Sequence, residues 1–287
     1  MSESAPPAAF DRIGPERPRS PVILSVPHAG RDYSPELIKA ARLPLGTLET
    51  LEDRLVDRLV WRAVEAGAAA FVARAPRAEI DLNRDEREID PAMVTPPLPS
   101  GSILQSVRSR GGIGLIPSRI AGAGPIWRER VTRQELARRI LRIHRPYHQA
   151  LEQMLAETRD RYGAAVLLDC HSMPPRPDGS QAQVIFGDRY GTSAGGHLVK
   201  AAIAASRALG YRTTCNAPYA GGYIAGRHGC PDRGIHAIQI EIDRSVYLDP
   251  ALRAPGPGFA DACRLVQAVV EAIEARLFDA DRAIAAE

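Results

Sequence analysis

Cysteines, aromatic residues and long apolar runs are all scarce in this chain of 287 residues. The four cysteines are widely spaced and form no CxxC pair; they are Cys170, Cys215, Cys230 and Cys263. This spacing argues against a disulfide framework or a structural zinc knuckle and favours reduced thiols. No run approaches the roughly 20 apolar residues of a membrane span, and residues 1–20 lack the apolar stretch of a signal peptide. We therefore expect a cytoplasmic protein with no membrane partner.

The chain also lacks a strong charge of either sign, since 37 basic and 34 acidic residues leave a formal net charge of +3. Scattered arginines of this kind give little reason to expect a nucleic-acid partner. The densest stretch, residues 128–145, has helical spacing and predicts a solvated helix face, with a basic docking surface as the alternative. The sequence leaves the oligomeric state open.

Apolar runs and helical spacing alternate along the chain. Runs bounded by proline or glycine predict strands at residues 21–27, 68–73, 165–168, 183–186, 211–216 and 236–242. Periodic segments predict helices over residues 51–66, 132–162, 194–209 and 259–278, the second of them kinked or divided by Pro146. This alternation favours an α/β fold with a mixed, largely parallel central sheet and helices on both faces. We expect a flexible leader over residues 1–20 and a single α/β domain over residues 21–287.

Residues 90–130 contain so many prolines and glycines that long regular elements are excluded. Irregular segments of this length inside a compact domain usually carry function or disorder. We interpret this one as an insertion near the active site, forming a lid or a wall.

Three polar side chains stand out. Two follow the predicted ends of strands, and one lies within a strand that is otherwise mostly apolar. His28 follows the first strand, His171 follows the central strand, and Glu241 interrupts a run of isoleucines. A buried carboxylate is costly unless it meets a cation or takes an altered pKa for catalysis. Two imidazoles and one carboxylate are the usual protein ligands of a hydrolytic zinc, with water in the fourth position.

Three acids could supply the carboxylate ligand: Glu52, Asp53 and Asp57, at the start of the helix predicted over residues 51–66. Asp53 and Asp57 would lie one turn apart on that helix, so one could bind metal while the other orients a histidine. The same acids could simply favour a helix N-terminus. The residues alone leave the choice open.

Other polar groups compete with this interpretation. His171 could be a core histidine, and His144 with His148 could form a metal pair, although no third ligand is evident near them. Ser172 lacks the glycine-flanked turn that exposes a nucleophilic serine. Cys170 is adjacent to His171, and adjacent residues on a strand point to opposite faces, which makes a nucleophile and base pair awkward.

Seven short motifs, taken together and in order, resemble the N-formylglutamate amidohydrolases. They are Val26–Gly30, Asp81–Arg84, His144–His148, Asp169–Ser172, Gly187–Gly191, Gly221–Ile224 and Gln239–Glu241. The resemblance spans roughly residues 21–250. It implies a fold like that of the zinc carboxypeptidases and aspartoacylases. It also implies hydrolysis of N-formyl-L-glutamate to glutamate and formate, a step in histidine degradation.

The same resemblance implies roles for individual residues. His28, Asp53 and His171 would hold the metal, Zn²⁺ or another divalent ion, and Glu241 would be the general base.

Two further groups would handle the substrate. Asn83 and Arg84 would grip the substrate carboxylate, for which arginine has the suitable bidentate geometry. Arg84 or Arg227 would polarise the scissile carbonyl. Tyr223, Arg227 and His228 would line the substrate pocket.

The chain departs from the family pattern at two places, so its specificity is less constrained than its chemistry. Arg54 follows Asp53 where we expect an aromatic residue, and the segment 173–178 after His171 is rich in proline. Two alternatives follow. One is a deacylase or peptidase of the same fold acting on another N-acyl amino acid or a small peptide. The other is a non-catalytic binding protein on that fold.

Overall fold

A computed structural model describes residues 8–175 and 182–284, and these residues divide between two compact units. The sheet unit comprises residues 12–26 and 53–71 together with the chain from Leu151 onward. The loop unit comprises residues 27–52 and 72–150 together with the chain up to Asp11. The single domain expected over residues 21–287 remains a prediction.

Strands and helices alternate through both units. The strands are β1 Phe10–Ile13, β2 Val22–Val26, β3 Ala69–Ala73, β4 Val94–Thr95, β5 Arg119–Ile120, β6 Gly124–Pro125, β7 Val131–Thr132, β8 Ala165–Met173, β9 Val184–Gly187, β10 Thr213–Cys215 and β11 Ile235–Asp243. The α-helices are α1 Pro35–Ala40, α2 Leu45–Leu48, α3 Val56–Leu59, α4 Trp61–Ala66, α5 Val107–Arg110, α6 Arg133–Arg139, α7 Arg145–Tyr162, α8 Gly196–Ala208, α9 Tyr223–His228 and α10 Phe259–Ile284.

Within the described residues, seven strands form one sheet in the order β1-β3-β2-β8-β11-β9-β10. Strands β2, β8 and β11 run parallel to one another, and β10 runs parallel to β9, whereas β9 is antiparallel to β11. Every residue of β2 and β8 is buried, so both faces of the sheet centre are covered. Helix α10 packs against β2, and α9 packs against β8 and β11. The predicted mixed, largely parallel α/β sheet is confirmed.

Buried parallel strands read as continuous apolar runs, which is why the sequence locates them well. The observed β8 extends beyond its predicted end, however, and includes Asp169 and His171. Backbone pairing with β11 continues through Met173, so these polar residues belong to the strand instead of following it.

The helix predicted over residues 51–66 is wrong for its first five residues, whereas the short helices α3 and α4 cover most of the remainder. Leu51 ends a 3₁₀ helix, Glu52 is extended, and Leu55 has a φ of 62°, so regular helix begins only at Val56. The apolar residues whose spacing predicted a helix, such as Leu55, Val56 and Leu59, are spaced in this way because they are buried. As a consequence, Asp53 and Asp57 do not share one helix face.

Residues 90–130 contain only elements of two to four residues, as their proline and glycine content predicts. Two small sheets, β4 with β7 and β5 with β6, organise this part of the loop unit. The helix predicted over residues 132–162 is divided as expected: a π-helical turn at Ile140–His144 separates α6 from α7, just before Pro146. Proline lacks the N–H that would continue the regular helical bonding at this point.

The predicted leader contains strand β1, whose side chains are mostly exposed. A strand held by backbone pairing at a sheet edge carries no apolar run, so the hydrophobic pattern does not reveal it. Residues 1–7 of the leader lie outside the described part of the chain. Among the helices of residues 8–175 and 182–284, none has both the length and the hydropathy that crossing a bilayer requires.

Burial at the sheet centre generates a stability prediction. Leu168 on β8 is fully buried, so Leu168→Ala should lower the free energy of unfolding by about 2–5 kcal/mol through lost burial and a residual cavity. Urea denaturation followed by circular dichroism measures this change. Leu209→Ala, at a side chain 45% exposed, is the matched control and should shift stability by no more than about 0.5 kcal/mol. Equal effects of the two substitutions would contradict the assignment of β8 to the core.

Candidate metal centre

Two histidines and one aspartate converge within the described residues. One ligand atom from each of His28, Asp53 and His171 lies within 4.8 Å of the others, and all three residues are buried. His28 stands two residues beyond the end of β2, and His171 lies near the end of β8, which pairs in parallel with β2. Parallel strands bring their carboxyl ends to one edge of a sheet, where ligands commonly bind.

A buried carboxylate orients each histidine of this group. His28 Nε2 lies 2.7 Å from Asp81 Oδ1, and His171 Nε2 lies 2.8 Å from Asp169 Oδ2. An ionised carboxylate only accepts hydrogen bonds, so each Nε2 donates. Nδ1 of each ring would then be the ligand atom, and carboxylate partners of this kind on Nε2 are typical of metal-binding histidines.

The acidic side chains around His171 favour a positive charge at this position. Burial opposes protonation of this ring, but the negative charges of Asp169 and Glu241 and the hydrogen bonds that the ring donates to Asp169 and Asp53 raise the pKa of His171 well above its ordinary value. Its Nδ1 lies 3.0 Å from Asp53 Oδ2. A divalent cation held by these two side chains would have to replace the proton of this hydrogen bond. The donor set therefore fits a metal.

Asp53 is the acid that the structure places in the group. Its Oδ1 accepts a hydrogen bond from Arg244 Nη2 at 3.1 Å, while Oδ2 faces His171. The neighbouring Glu52 instead accepts a hydrogen bond from Tyr33 Oη at 2.9 Å. The two adjacent acids thus have different partners, which spacing along the chain does not reveal.

Glu241 lies beside His171 on the adjacent strand, since the two residues are in register between β11 and β8. In-register residues of parallel strands point to the same face of the sheet. Gln239 Nε2 donates to Glu241 Oε1 at 2.7 Å, and the Gly222 N–H donates to Gln239 Oε1 at the same distance. The carboxylate is therefore held in place by a short chain of hydrogen bonds that ends at the start of α9.

Helix α9 carries the three residues predicted to line the substrate pocket. Arg227 Nη1 donates to Tyr223 Oη at 3.0 Å, and Arg227 Nη2 lies 3.6 Å from a carboxylate oxygen of Glu152. Arg227 is exposed, whereas His228 is buried. Their role in a pocket stays a prediction.

Asn83 and Arg84 lie two and three residues after Asp81, and the Asp81 carboxylate contacts both. Asp81 Oδ1 also accepts the Asn83 N–H at 2.9 Å, and Asp81 Oδ2 accepts a hydrogen bond from Arg77. Burial raises the pKa of Asp81, but the charges of Arg77, Arg84 and His28 outweigh it and hold the pKa well below its usual value. The Arg84 guanidinium donates to the backbone oxygens of Asn83 and Ile113 at 2.7 and 2.8 Å.

Comparison with known proteins identifies the family to which this chain belongs. The sequence model of the N-formylglutamate amidohydrolases matches residues 20–248. The chain belongs to the N-formylglutamate amidohydrolase family. The resemblance carried by the seven motifs is thereby confirmed.

Relatives of this amidohydrolase family match along most of their length. An N-formylglutamate deformylase of Pseudomonas aeruginosa is 28% identical over 266 residues, which cover 89% of this chain and 91% of the relative. An N-formylglutamate deformylase of Pseudomonas putida is 29% identical over 242 residues, covering 80% and 83%. The crystal structure of N-formylglutamate amidohydrolase from Ralstonia eutropha JMP134 superposes with a TM-score of 0.87 at 32% identity, covering 95% of this chain and 99% of that one. The fold and these relatives mark the chain as a hydrolase.

The rival nucleophile does not fit this family member. Cys170 points to the opposite face from His171 because adjacent strand residues alternate. Burial, and then the charge of Asp169, raise the pKa of the Cys170 thiol well above its ordinary value, so it is not a thiolate near neutral pH.

Sequence reasoning assigned no role to three residues that orient the group: Asp81, Asp169 and Arg244. Asp169 carries a readable signal, because a carboxylate two residues before a strand histidine shares its face. Asp81 is the first residue of the motif Asp81–Arg84. Arg244, which is 191 residues from Asp53, has no local signal.

The Asp169 contact generates a prediction about metal affinity. Asp169→Asn removes the charge that orients His171 and supports its basicity, so zinc affinity should fall about 10–100-fold. Competition with a chromophoric chelator measures this constant without reference to activity. Asp160→Asn, at an exposed carboxylate, is the matched control and should leave the affinity unchanged. Equal affinities for the wild type and Asp169→Asn would separate Asp169 from any metal site.

Proposed function

We propose that this chain hydrolyses the formamide bond of N-formyl-L-glutamate to glutamate and formate, using a zinc ion held by His28, Asp53 and His171. The observation that carries the proposal is the buried His-Asp-His group with Glu241 in register beside His171. The names of the relatives supply the substrate. Another divalent ion would suit the same ligands, since sites of this kind seldom select one metal by affinity alone.

When bound, the metal supplies Lewis acidity that activates water and polarises the scissile carbonyl. Glu241 acts as the base that accepts a proton from the attacking water, and the hydrogen bond from Gln239 fixes the carboxylate for this task. The water oxygen bonds to the formyl carbon, and the bond from that carbon to nitrogen breaks. Glu241 returns its proton to the leaving nitrogen, so formate and the free amine of glutamate result.

Recognition of the substrate carboxylate falls to Asn83 and Arg84. Arg84 is 5% exposed, and its guanidinium is already fixed by two backbone oxygens. A cation held in place before binding loses little entropy when a carboxylate arrives. Arg227, which is exposed and hydrogen-bonded to Tyr223, would polarise the carbonyl or meet the second substrate carboxylate.

A cytoplasmic location and a place in histidine degradation belong to the same proposal. The four cysteines are free thiols, which suits a reducing compartment. The pathway follows from the substrate that the relatives' names give.

The base assignment is tested at Glu241. Glu241→Gln keeps the shape of the side chain but removes its proton-accepting charge, so kcat should fall at least about 10²-fold with zinc content unchanged. Steady-state kinetics and elemental analysis give the two readouts. Glu271→Gln, on the exposed part of α10, is the control and should retain full turnover. Full turnover by Glu241→Gln would exclude Glu241 as the base.

Substrate identity is tested with a panel of N-formyl, N-acetyl and N-succinyl amino acids. N-formyl-L-glutamate should give the highest kcat/KM, and chelation of the metal should abolish turnover that added zinc restores. A higher kcat/KM for another acyl group would favour the related deacylase, in which Arg54 beside Asp53 reshapes the pocket. Absence of both metal and hydrolysis across the panel would favour a binding protein.

A further inference from the structure

Two buried histidines outside the metal group lie against the segment Asp81–Arg84. His144 is 2% exposed and His148 is 1% exposed, and their ring centroids are 4.4 Å apart with a tilt of 53°. His144 Nε2 lies 2.8 Å from the backbone oxygen of Arg84, and His148 Nε2 lies 3.0 Å from that of Leu82. A carbonyl oxygen only accepts, so both rings donate from Nε2.

The helix that carries this pair is irregular at the first histidine. Residues Ile140–His144 form a π turn, in which the Arg145 N–H bonds to the Ile140 oxygen, and Pro146 follows. A π turn inserts one residue and rotates the preceding side chains relative to a regular helix, and such turns are frequent at functional sites. Here both imidazoles reach one short stretch of backbone.

That stretch is therefore held from two directions. Asp81 fixes its beginning through His28 and the Asn83 N–H. The two imidazoles fix the carbonyls on either side of Asn83. Since the backbone on both sides of Asn83 is bonded, the directions in which the Asn83 and Arg84 side chains leave the chain are constrained.

We propose that His144 and His148 are positioning residues that set the Asp81–Arg84 backbone so that Asn83 and Arg84 meet the substrate carboxylate. This inference rests on the proposed function and extends it to a pair that does not touch the reacting atoms. The role that it gives the pair requires no bound metal, because it rests on the two hydrogen bonds to backbone carbonyls.

Replacement of either histidine by leucine tests the proposal. His144→Leu and His148→Leu should each lower kcat/KM for N-formyl-L-glutamate about 10–100-fold, the order expected when a substrate-binding group is displaced by about 1 Å. Most of the loss should appear in KM, because the carboxylate is gripped equally in the ground state and the transition state. Zinc affinity should stay within about twofold of the wild type. A loss confined to kcat, or explained by lost metal, would overturn the proposal.

Glutamine variants separate positioning from packing. The side-chain amide of His144→Gln or His148→Gln can donate to the same carbonyl, so these variants should recover most of the lost kcat/KM. This comparison stays informative if a leucine variant folds poorly, which a thermal unfolding scan would show. His197→Leu, at an exposed histidine on α8, is the control and should match the wild type. No difference between glutamine and leucine variants of equal stability would count against the hydrogen bonds.

A double-mutant cycle tests whether the histidines act through Arg84. If they do, His144→Leu should cost much less in an Arg84→Ala background than in the wild type. Equal fold losses in both backgrounds would show an independent effect and reject the proposal. Failure of the proposed function looks different, because the wild type itself would then not hydrolyse N-formyl-L-glutamate.

Discussion

The site depends on pairing two buried carboxylates, Asp81 and Asp169, with histidine or arginine side chains. Asp81 and Asp169 are both fully buried, and an isolated charge there would be too costly to keep. Asp81 meets His28 and Arg77, whereas Asp169 meets His171 and the Ser25 hydroxyl, 2.7 Å from its Oδ1. Because Nε2 of each ring donates to one of these carboxylates, Nδ1 is the nitrogen that would bind the metal. The carboxylate–histidine hydrogen bond thus offsets the cost of burying the carboxylate and also orients the candidate metal ligand.

The register of the central strands places these groups. Ser25 pairs with Asp169, Asp169 pairs with Gln239, and His171 pairs with Glu241. Residues two apart on a strand share a face, so these side chains all project from one side of an otherwise apolar sheet. A shift of one residue in the pairing would send them into the opposite layer. The apolar residues of β2, β8 and β11 therefore contribute to the chemistry by fixing that register.

The sequence predicts the residues whose position follows from local pattern. Buried strands are apolar runs, so the strands that lead to His28 and His171 and the strand that carries Glu241 are readable, and the family resemblance adds Asp53. Contacts between distant segments are not readable, because they depend on tertiary packing. The start of the helix predicted over residues 51–66 is wrong for this reason: Tyr33 binds Glu52 and Arg244 binds Asp53, and these two acids are not helical.

Asp81 contacts both the candidate metal site and the segment expected to bind the substrate. One carboxylate orients the candidate metal ligand His28 and also binds the backbone N–H of Asn83. A change in the position of the Asp81 carboxylate would therefore move both the ring of His28 and the start of the segment expected to hold the substrate. His144 and His148 oppose such movement from the other side of the segment. The candidate metal ligand and the substrate segment thus share one carboxylate, and the two histidines bind the backbone carbonyls of the segment, which a carboxylate cannot.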